Sequence, residues 1–170
     1  NHLEMDETMP NVLNKLRTST VYPALFKKAY GTEEINTANF LKSLSQFMAM
    51  CVSSNSRYDS VMRNEVGKIF TAAEAEGREL VKQKCGNCHK EPLFTDNSFR
   101  NNGMAVNTFL NDYGRMKITG DKNDSLKFKV PSLRNVVLTF PYMHDGRFYT
   151  VGQAIDHYRT GIITTQTTLD

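Results

Sequence analysis

The run Cys85-Gly86-Asn87-Cys88-His89 constrains this chain more than any other feature. Two thiols one helical turn apart can each add across a vinyl group of haem, and the histidine that follows can then reach the iron. The pattern points to a covalent c-type haem, with Cys85 and Cys88 as anchors and His89 as an iron ligand. Two other uses of paired cysteines fit less well. A tetrahedral zinc site asks for four spaced N/S ligands, and Cys51, the remaining cysteine, lies far upstream without a Cys or His neighbour. A thioredoxin-like dithiol usually opens a helix after a strand, whereas this pair follows a helical stretch over residues 71–84 and has no use for His89.

Composition narrows the field further. The 170 residues suit one or two small domains, and 39% hydrophobic with 23% charged residues is ordinary for a folded protein. No run of eighteen apolar residues exists, so no membrane-spanning helix is expected. The 21 Lys and Arg against 18 Asp and Glu leave a charge of +3, and the basic residues are scattered, which gives no footprint for nucleic acid. Lys82, Lys84 and Lys90 bracket the haem motif. They either steer an acidic electron-transfer partner or simply favour the C-terminal end of a helix dipole. The chain opens at Asn1 without an initiator Met or a signal peptide and closes on the polar residues 164–170, so it reads as an internal piece of a longer protein.

Local signals predict an all-α chain. Thr8 before Met9 and Pro10 opens a helix with Val12, Leu13 and Leu16 on its apolar face. A second helix runs from Pro23 to Tyr30 and stops at Gly31. A third starts near Thr37, with Phe40, Leu41, Leu44, Phe47, Met48 and Cys51 at helical spacing, which makes Cys51 a buried apolar side chain. Residues 53–56 form a polar break, and the division between domains is expected between there and Phe70, giving units 1–66 and 67–170. Thr71 and Glu74 form a capping box for the helix that delivers both cysteines. Residues 90–150 carry little regular structure, which a compact domain seldom tolerates. A cytochrome c-like domain resolves this, because Leu93, Phe94, Phe99, Met104, Phe109, Phe128, Val130 and Leu133 on long loops could wrap a haem. Thr150 and Gln153 open the last helix, which ends at Gly161.

With His89 on one side of the iron, the other side is open or taken by Met104, Met116, Met143, His144, His157 or Tyr158. On the last helix Val151, Ala154, Ile155 and Tyr158 form one stripe, so Tyr158 is expected to point inward and His157 away. A core tyrosine with a hydrogen-bonded hydroxyl explains the stripe equally well.

Four blocks, taken in order, carry a resemblance. They are Asn1-His2-Leu3-Glu4-Met5, the haem motif, Phe128-Lys129-Val130-Pro131-Ser132-Leu133-Arg134-Asn135 and Pro141-Tyr142-Met143-His144-Asp145-Gly146-Arg147-Phe148. Together they resemble the bacterial di-haem cytochrome c peroxidase and MauG family, from Glu4 to Tyr158. The resemblance implies two haem domains, an N-terminal one where peroxide reacts and a C-terminal one that passes electrons. This chain would be the C-terminal haem domain preceded by helices of its neighbour. The first haem motif and the inter-haem tryptophan would lie upstream, in keeping with the absence of Trp here.

Roles follow by position in that resemblance. Glu4 matches the acidic residue of the peroxidatic pocket, where a carboxyl group moves a proton between peroxide oxygens; a helix N-terminal carboxylate is the plainer alternative. Thr139 and Pro141 match positions whose backbone carbonyls help to hold a structural calcium. Tyr158 stands where the peroxidase branch has a ligating methionine, and this resembles the MauG branch, whose ligand there is tyrosine. A thioether stabilises ferrous iron, whereas a phenolate favours ferric and higher states. Arg134, His144 and Asp145 either hold a haem propionate, bridge the domains or fix loops.

The resemblance implies a periplasmic di-haem peroxidase that reduces hydrogen peroxide with electrons from a small cytochrome or other redox protein, with a second haem c upstream and room for a homodimer. A MauG-like enzyme oxidising a residue of a partner protein is the second reading, for which Tyr158 speaks. A simple electron-carrier cytochrome is the third, and Glu4 speaks against it.

Overall fold

A computed structural model of the chain describes residues 5–170. The regular structure is mostly helical, and the chain divides into two compact units, Asn1–Val52 and Ser53–Asp170.

In the first unit, α1 (Met9–Arg17) begins where the Thr8 hydroxyl accepts from the Asn11 N–H and Pro10 occupies the first turn, where its missing N–H costs nothing. Helix α2 (Tyr22–Tyr30) stops because Gly31 adopts φ 77°, a left-handed conformation that costs glycine little. Helix α3 (Thr37–Met50) is capped by the Asn36 side chain. Leu13, Phe26 and Ile35 make the core, with Met9, Leu16, Tyr30 and Phe40 packed against it. Of the apolar stripe expected to bury α3, only Phe40 joins this core. Leu41, Leu44, Phe47 and Met48 are exposed, and so is Cys51, contrary to the sequence expectation. Helices α1 and α2 have 9 residues each and α3 has 14, and Phe47, Met48 and Cys51 belong to its last turns; Leu41 and Leu44, nearer its start, lie on a face turned away from the core.

In the second unit, α4 (Arg57–Met62) and α5 (Ala72–Cys85) each start with a full capping box, Ser56 with Asp59 and Thr71 with Glu74. The long irregular stretch contains the one-turn α6 (Met116–Thr119) and a ladder that the sequence did not announce. Strands β1 (Phe99–Arg100) and β2 (Phe128–Lys129) pair antiparallel, with Phe99 opposite Lys129 and Arg100 opposite Phe128. Strands of two residues are too short for an alternation to be visible. Helix α7 (Val151–Asp156) opens on the Thr150 and Gln153 capping box and continues into a π-helical turn, His157–Gly161.

Apolar packing here is thin. Among the described residues of this unit the buried hydrophobic side chains are Met104 and Val130, while Leu93, Phe99, Phe109, Leu110, Val137, Leu138 and Phe140 are exposed. Polar pins hold the loops instead. Arg134 engages all of its guanidinium N–H groups: Nε and Nη2 donate to the Pro92 carbonyl at 2.9 and 2.7 Å, Nη1 to the Ser53 carbonyl at 2.5 Å, and both Nη atoms to the Asp59 carboxylate at 3.0 and 2.9 Å. Residues 53–66, which the sequence grouped with the first domain, are thereby tied to the second unit. With every donor engaged by protein, Arg134 fixes these loops.

The Asp59–Arg134 pair is nearly out of solvent, so removing one partner strands the other charge. Asp59→Asn is expected to lower the stability of the second unit by about 3 kcal/mol at neutral pH, measured by denaturant titration. The Arg134 guanidinium holds the Asp59 carboxyl well below the usual carboxylate range. Its contribution is therefore present above about pH 4 and fades as pH falls towards the folded value, so that the two proteins converge in acid.

Candidate functional site

Helix α5 ends on Cys85, and its carbonyl accepts from the N–H groups of both Cys88 and His89, at 3.2 and 2.8 Å. This tight turn brings the three residues of the motif together at the helix end. Both thiols are free. Burial pushes the Cys88 thiol up, opposite to the lowered value that an attacking redox thiol needs, which speaks against a thioredoxin-like dithiol. The described residues hold no cluster of three or more His, Cys, Asp or Glu that could bind a metal ion.

His89 is oriented by a residue that the sequence did not single out. Its Nδ1 lies 2.9 Å from the Phe94 carbonyl. A carbonyl can only accept, so Nδ1 carries the proton and Nε2 keeps the lone pair that a metal requires. Phe94 has φ 54°, in the left-handed region that bulky residues avoid, and the Leu133 N–H also donates to its carbonyl at 3.3 Å. A strained backbone thus aims this oxygen at the imidazole. Nothing in the identity of Phe94 signals that role, because the acceptor is main chain.

On the last helix the expected orientation is reversed. His157 is 7% exposed and its Nε2 lies 2.9 Å from the Asn102 carbonyl, whereas Tyr158 is 51% exposed. The departure begins before the π-helical turn, because Ile155 in α7 is already exposed and the covered face runs through Val151, Ala154 and His157. The Tyr158 hydroxyl accepts from Asn102 Nδ2 at 3.3 Å, and the same carboxamide donates to Met143 Sδ at 3.4 Å. Two of the candidate iron ligands therefore share one donor. Met104 is buried and His157 is already hydrogen-bonded.

His144 stacks on Phe128 with ring centroids 3.7 Å apart, and desolvation lowers its pKa from the ordinary histidine value. Asp145 is fully covered and paired with Arg147, whose guanidinium also donates to the Ala105 carbonyl at 2.7 Å. Thr139 and Pro141 flank Phe140 just after a short helical turn, Val136–Leu138, and the Thr139 hydroxyl donates back to that turn. Glu4 lies outside the described residues. A concavity of about 400 Å³ opens beside His89, lined by Tyr58, Phe70, Val81 and Phe94 among others. Gly86 and His89 of the motif line it, whereas Cys85, Cys88 and Tyr158 do not.

Comparison with known proteins agrees with this geometry. Residues 1–67 match the family model for di-haem cytochrome c peroxidase. Over 138 residues the chain is 33% identical to the cytochrome c551 peroxidase of Nitrosomonas europaea, covering 79% of this chain and 41% of that protein. Over 163 residues it is 32% identical to the methylamine utilization protein MauG of Methylorubrum extorquens, covering 93% and 45%.

The chain belongs to the di-haem cytochrome c peroxidase and MauG family.

It spans about half the length of the curated relatives it matches. Among solved structures, a MauG-like protein associated with microbial copper homeostasis superposes with a TM-score of 0.80 at 30% identity, over 98% of this chain and 55% of that one. The family implies haem c, and the residues present fit it. Two free thiols lie three positions apart at the end of α5, the Phe94 carbonyl leaves His89 Nε2 open to a metal, and the exposed apolar side chains of the loops suit a large flat apolar group. No helix among the described residues is long and apolar enough to cross a membrane.

If Cys85 and Cys88 are the anchors, replacing both with Ala abolishes haem that survives denaturation, read on a haem-stained denaturing gel. Either single replacement leaves one thioether and shifts the visible band of the haem in alkaline pyridine. Staining that persists in the double variant would contradict the assignment.

Proposed function

We propose that this chain supplies the electron-transfer haem segment of a periplasmic di-haem enzyme that reduces hydrogen peroxide to water with electrons from a small cytochrome or another redox protein. The observation that carries the reading is the His89 to Phe94 hydrogen bond, which prepares an iron ligand directly behind two free thiols in a chain of this family. When bound, haem c would store and pass single electrons. The chain's own residues do the rest. Cys85 and Cys88 tether the macrocycle, His89 binds through Nε2, and the Phe94 carbonyl keeps the imidazole in one tautomer and one orientation. Tyr158 would hold the iron through its phenol oxygen, and His144, stacked on Phe128, lies next to Asp145 of the Asp145–Arg147 pair. Lys82 and Lys84, both in the last turn of α5, offer positive charge to an acidic donor protein.

Glu4 is proposed as the carboxyl group that transfers a proton between the peroxide oxygens at the other haem. Calcium at the Thr139 and Pro141 carbonyls would need anionic ligands from elsewhere, because two neutral carbonyls do not make a calcium site alone. A homodimer is compatible with this reading and no part of it depends on one.

A second reading has its own support. A phenol at position 158 favours highly oxidised iron, and the chain matches a MauG-like structure over nearly its whole length. In that case the intact protein would oxidise a residue of a partner protein instead of drawing electrons from a cytochrome.

Steady-state peroxide consumption by the intact haem-loaded protein, with small reduced cytochromes as donors, tests the choice. Turnover that His89→Gly removes is the expected result. Absence of turnover with every donor, together with a mass change in a co-incubated partner protein after peroxide, would overturn the peroxidase reading in favour of the second.

A further inference from the structure

Helix α5 carries a glycine that its own packing does not require. Gly77 lies in the interior of the helix, where glycine is weaker than alanine, and a side chain built there meets no atom within 4 Å. Gly86, just past the end of the same helix, is different, because a side chain there would run into the Lys82 carbonyl. What the bare position at 77 leaves open is the concavity of about 400 Å³ beside His89, whose wall it forms together with Tyr58, Phe70, Val81 and Phe94.

A recess of that size and lining takes an apolar side chain, and the charges around it define what should flank that side chain. Glu91 in the wall is neutralised by Arg78, with Nε on Oε1 at 2.7 Å and Nη2 on Oε2 at 2.8 Å. Lys82 and Lys90 line the same recess. Lys82 Nζ lies 3.0 Å from Glu79 Oε1 in an exposed pair, which holds it weakly. Lys90 pairs with no carboxylate among the described residues. The dipole of α5 accounts for cations in its last turn but not for Lys90, because the helix ends at Cys85. An apolar recess with a cationic rim has the anatomy of a docking face, where one buried side chain supplies the hold and the rim charges steer the approach.

We propose that this recess is the docking point of an acidic redox protein, which seats an apolar side chain against Gly77 and Val81 between carboxylates that meet Lys82 and Lys90. The inference rests on the reading above that another redox protein exchanges electrons with this chain, and it names the surface. His89 lines the recess, so the partner arrives beside the residue assigned to the iron. Lys84 does not line it and stays outside the contact.

The test is binding, measured apart from turnover. The intact haem-loaded protein is titrated calorimetrically with a panel of small c-type cytochromes, half of them acidic and half basic at neutral pH. The acidic members are expected to bind about tenfold more tightly and to lose most of that advantage in about 0.2 M salt. Gly77→Leu fills the recess with a better helix former, and is expected to weaken the acidic members about tenfold while the far-UV circular dichroism and the haem spectrum stay unchanged. Lys90→Glu, at an exposed position, should weaken them through the rim and keeps the test open should Gly77→Leu disturb the fold. Lys84→Glu should do less. Bound acidic cytochrome should slow amide exchange over residues 77–82 and 90–94. Acidic members that bind no better than basic ones, or bind wild type, Gly77→Leu and Lys90→Glu alike, would overturn the proposal. Protection of those residues by self-association without any cytochrome would also overturn it, and would assign the recess to a second copy of the chain. Acidic binding with the expected footprint, but no peroxide turnover with any donor, would overturn the peroxidase reading and leave the docking face in place.

Discussion

Arg134 turns a single ion pair with Asp59 into a fan of five hydrogen bonds, and the loops that frame the haem motif hang from it. Through Asp59 it holds helix α4, through Ser53 the start of the second unit, and through Pro92 the loop that leads to Phe94. Its guanidinium also lies 5.8 Å from the ring centroids of Tyr58 and Phe94, which themselves meet edge to face at 4.9 Å. Such an arrangement suits a unit whose buried apolar side chains are few. Directional bonds fix each loop individually where a packed core would fix them all at once.

Orientation then passes from backbone to metal ligand. The loop fixed by Arg134 carries Phe94, Phe94 in its left-handed conformation presents a carbonyl, and that carbonyl sets the tautomer of His89. The Asn102 side chain, between buried Asn101 and Gly103, donates to Tyr158 Oη and Met143 Sδ. In both places directional hydrogen bonds at a short loop segment fix the side chains beside it.

Much of this was legible where the physics is local. Thr8, Thr71 and Thr150 announce helix starts because a cap needs only its own side chain and the next turn. Gly31 announces a helix end for a similar reason. The motif Cys85-x-x-Cys88-His89 is legible because it is one contiguous run, and the family it belongs to implies haem c. The misses share the opposite property. Cys51 and the last part of the α3 stripe look buried until the lengths of α1 and α2 are known. Tyr158 and His157 exchange faces because the last helix covers Val151, Ala154 and His157, and periodicity alone does not say which neighbouring stripe packs inward. Asp59 reads as a capping residue and gives no hint that Arg134 reaches it across 75 positions. Phe94 acts through its carbonyl, which every residue has.

The central claim is that haem held by Cys85, Cys88 and His89 completes the apolar interior of the second unit. Amide hydrogen exchange of the chain, produced with and without covalent haem, tests this most directly. The account predicts strongly increased protection in the haem-loaded chain across residues 93–110 and 128–147, where the exposed apolar side chains are concentrated, with little change in α1 and α2. Equal exchange of those loops in the two forms would contradict it.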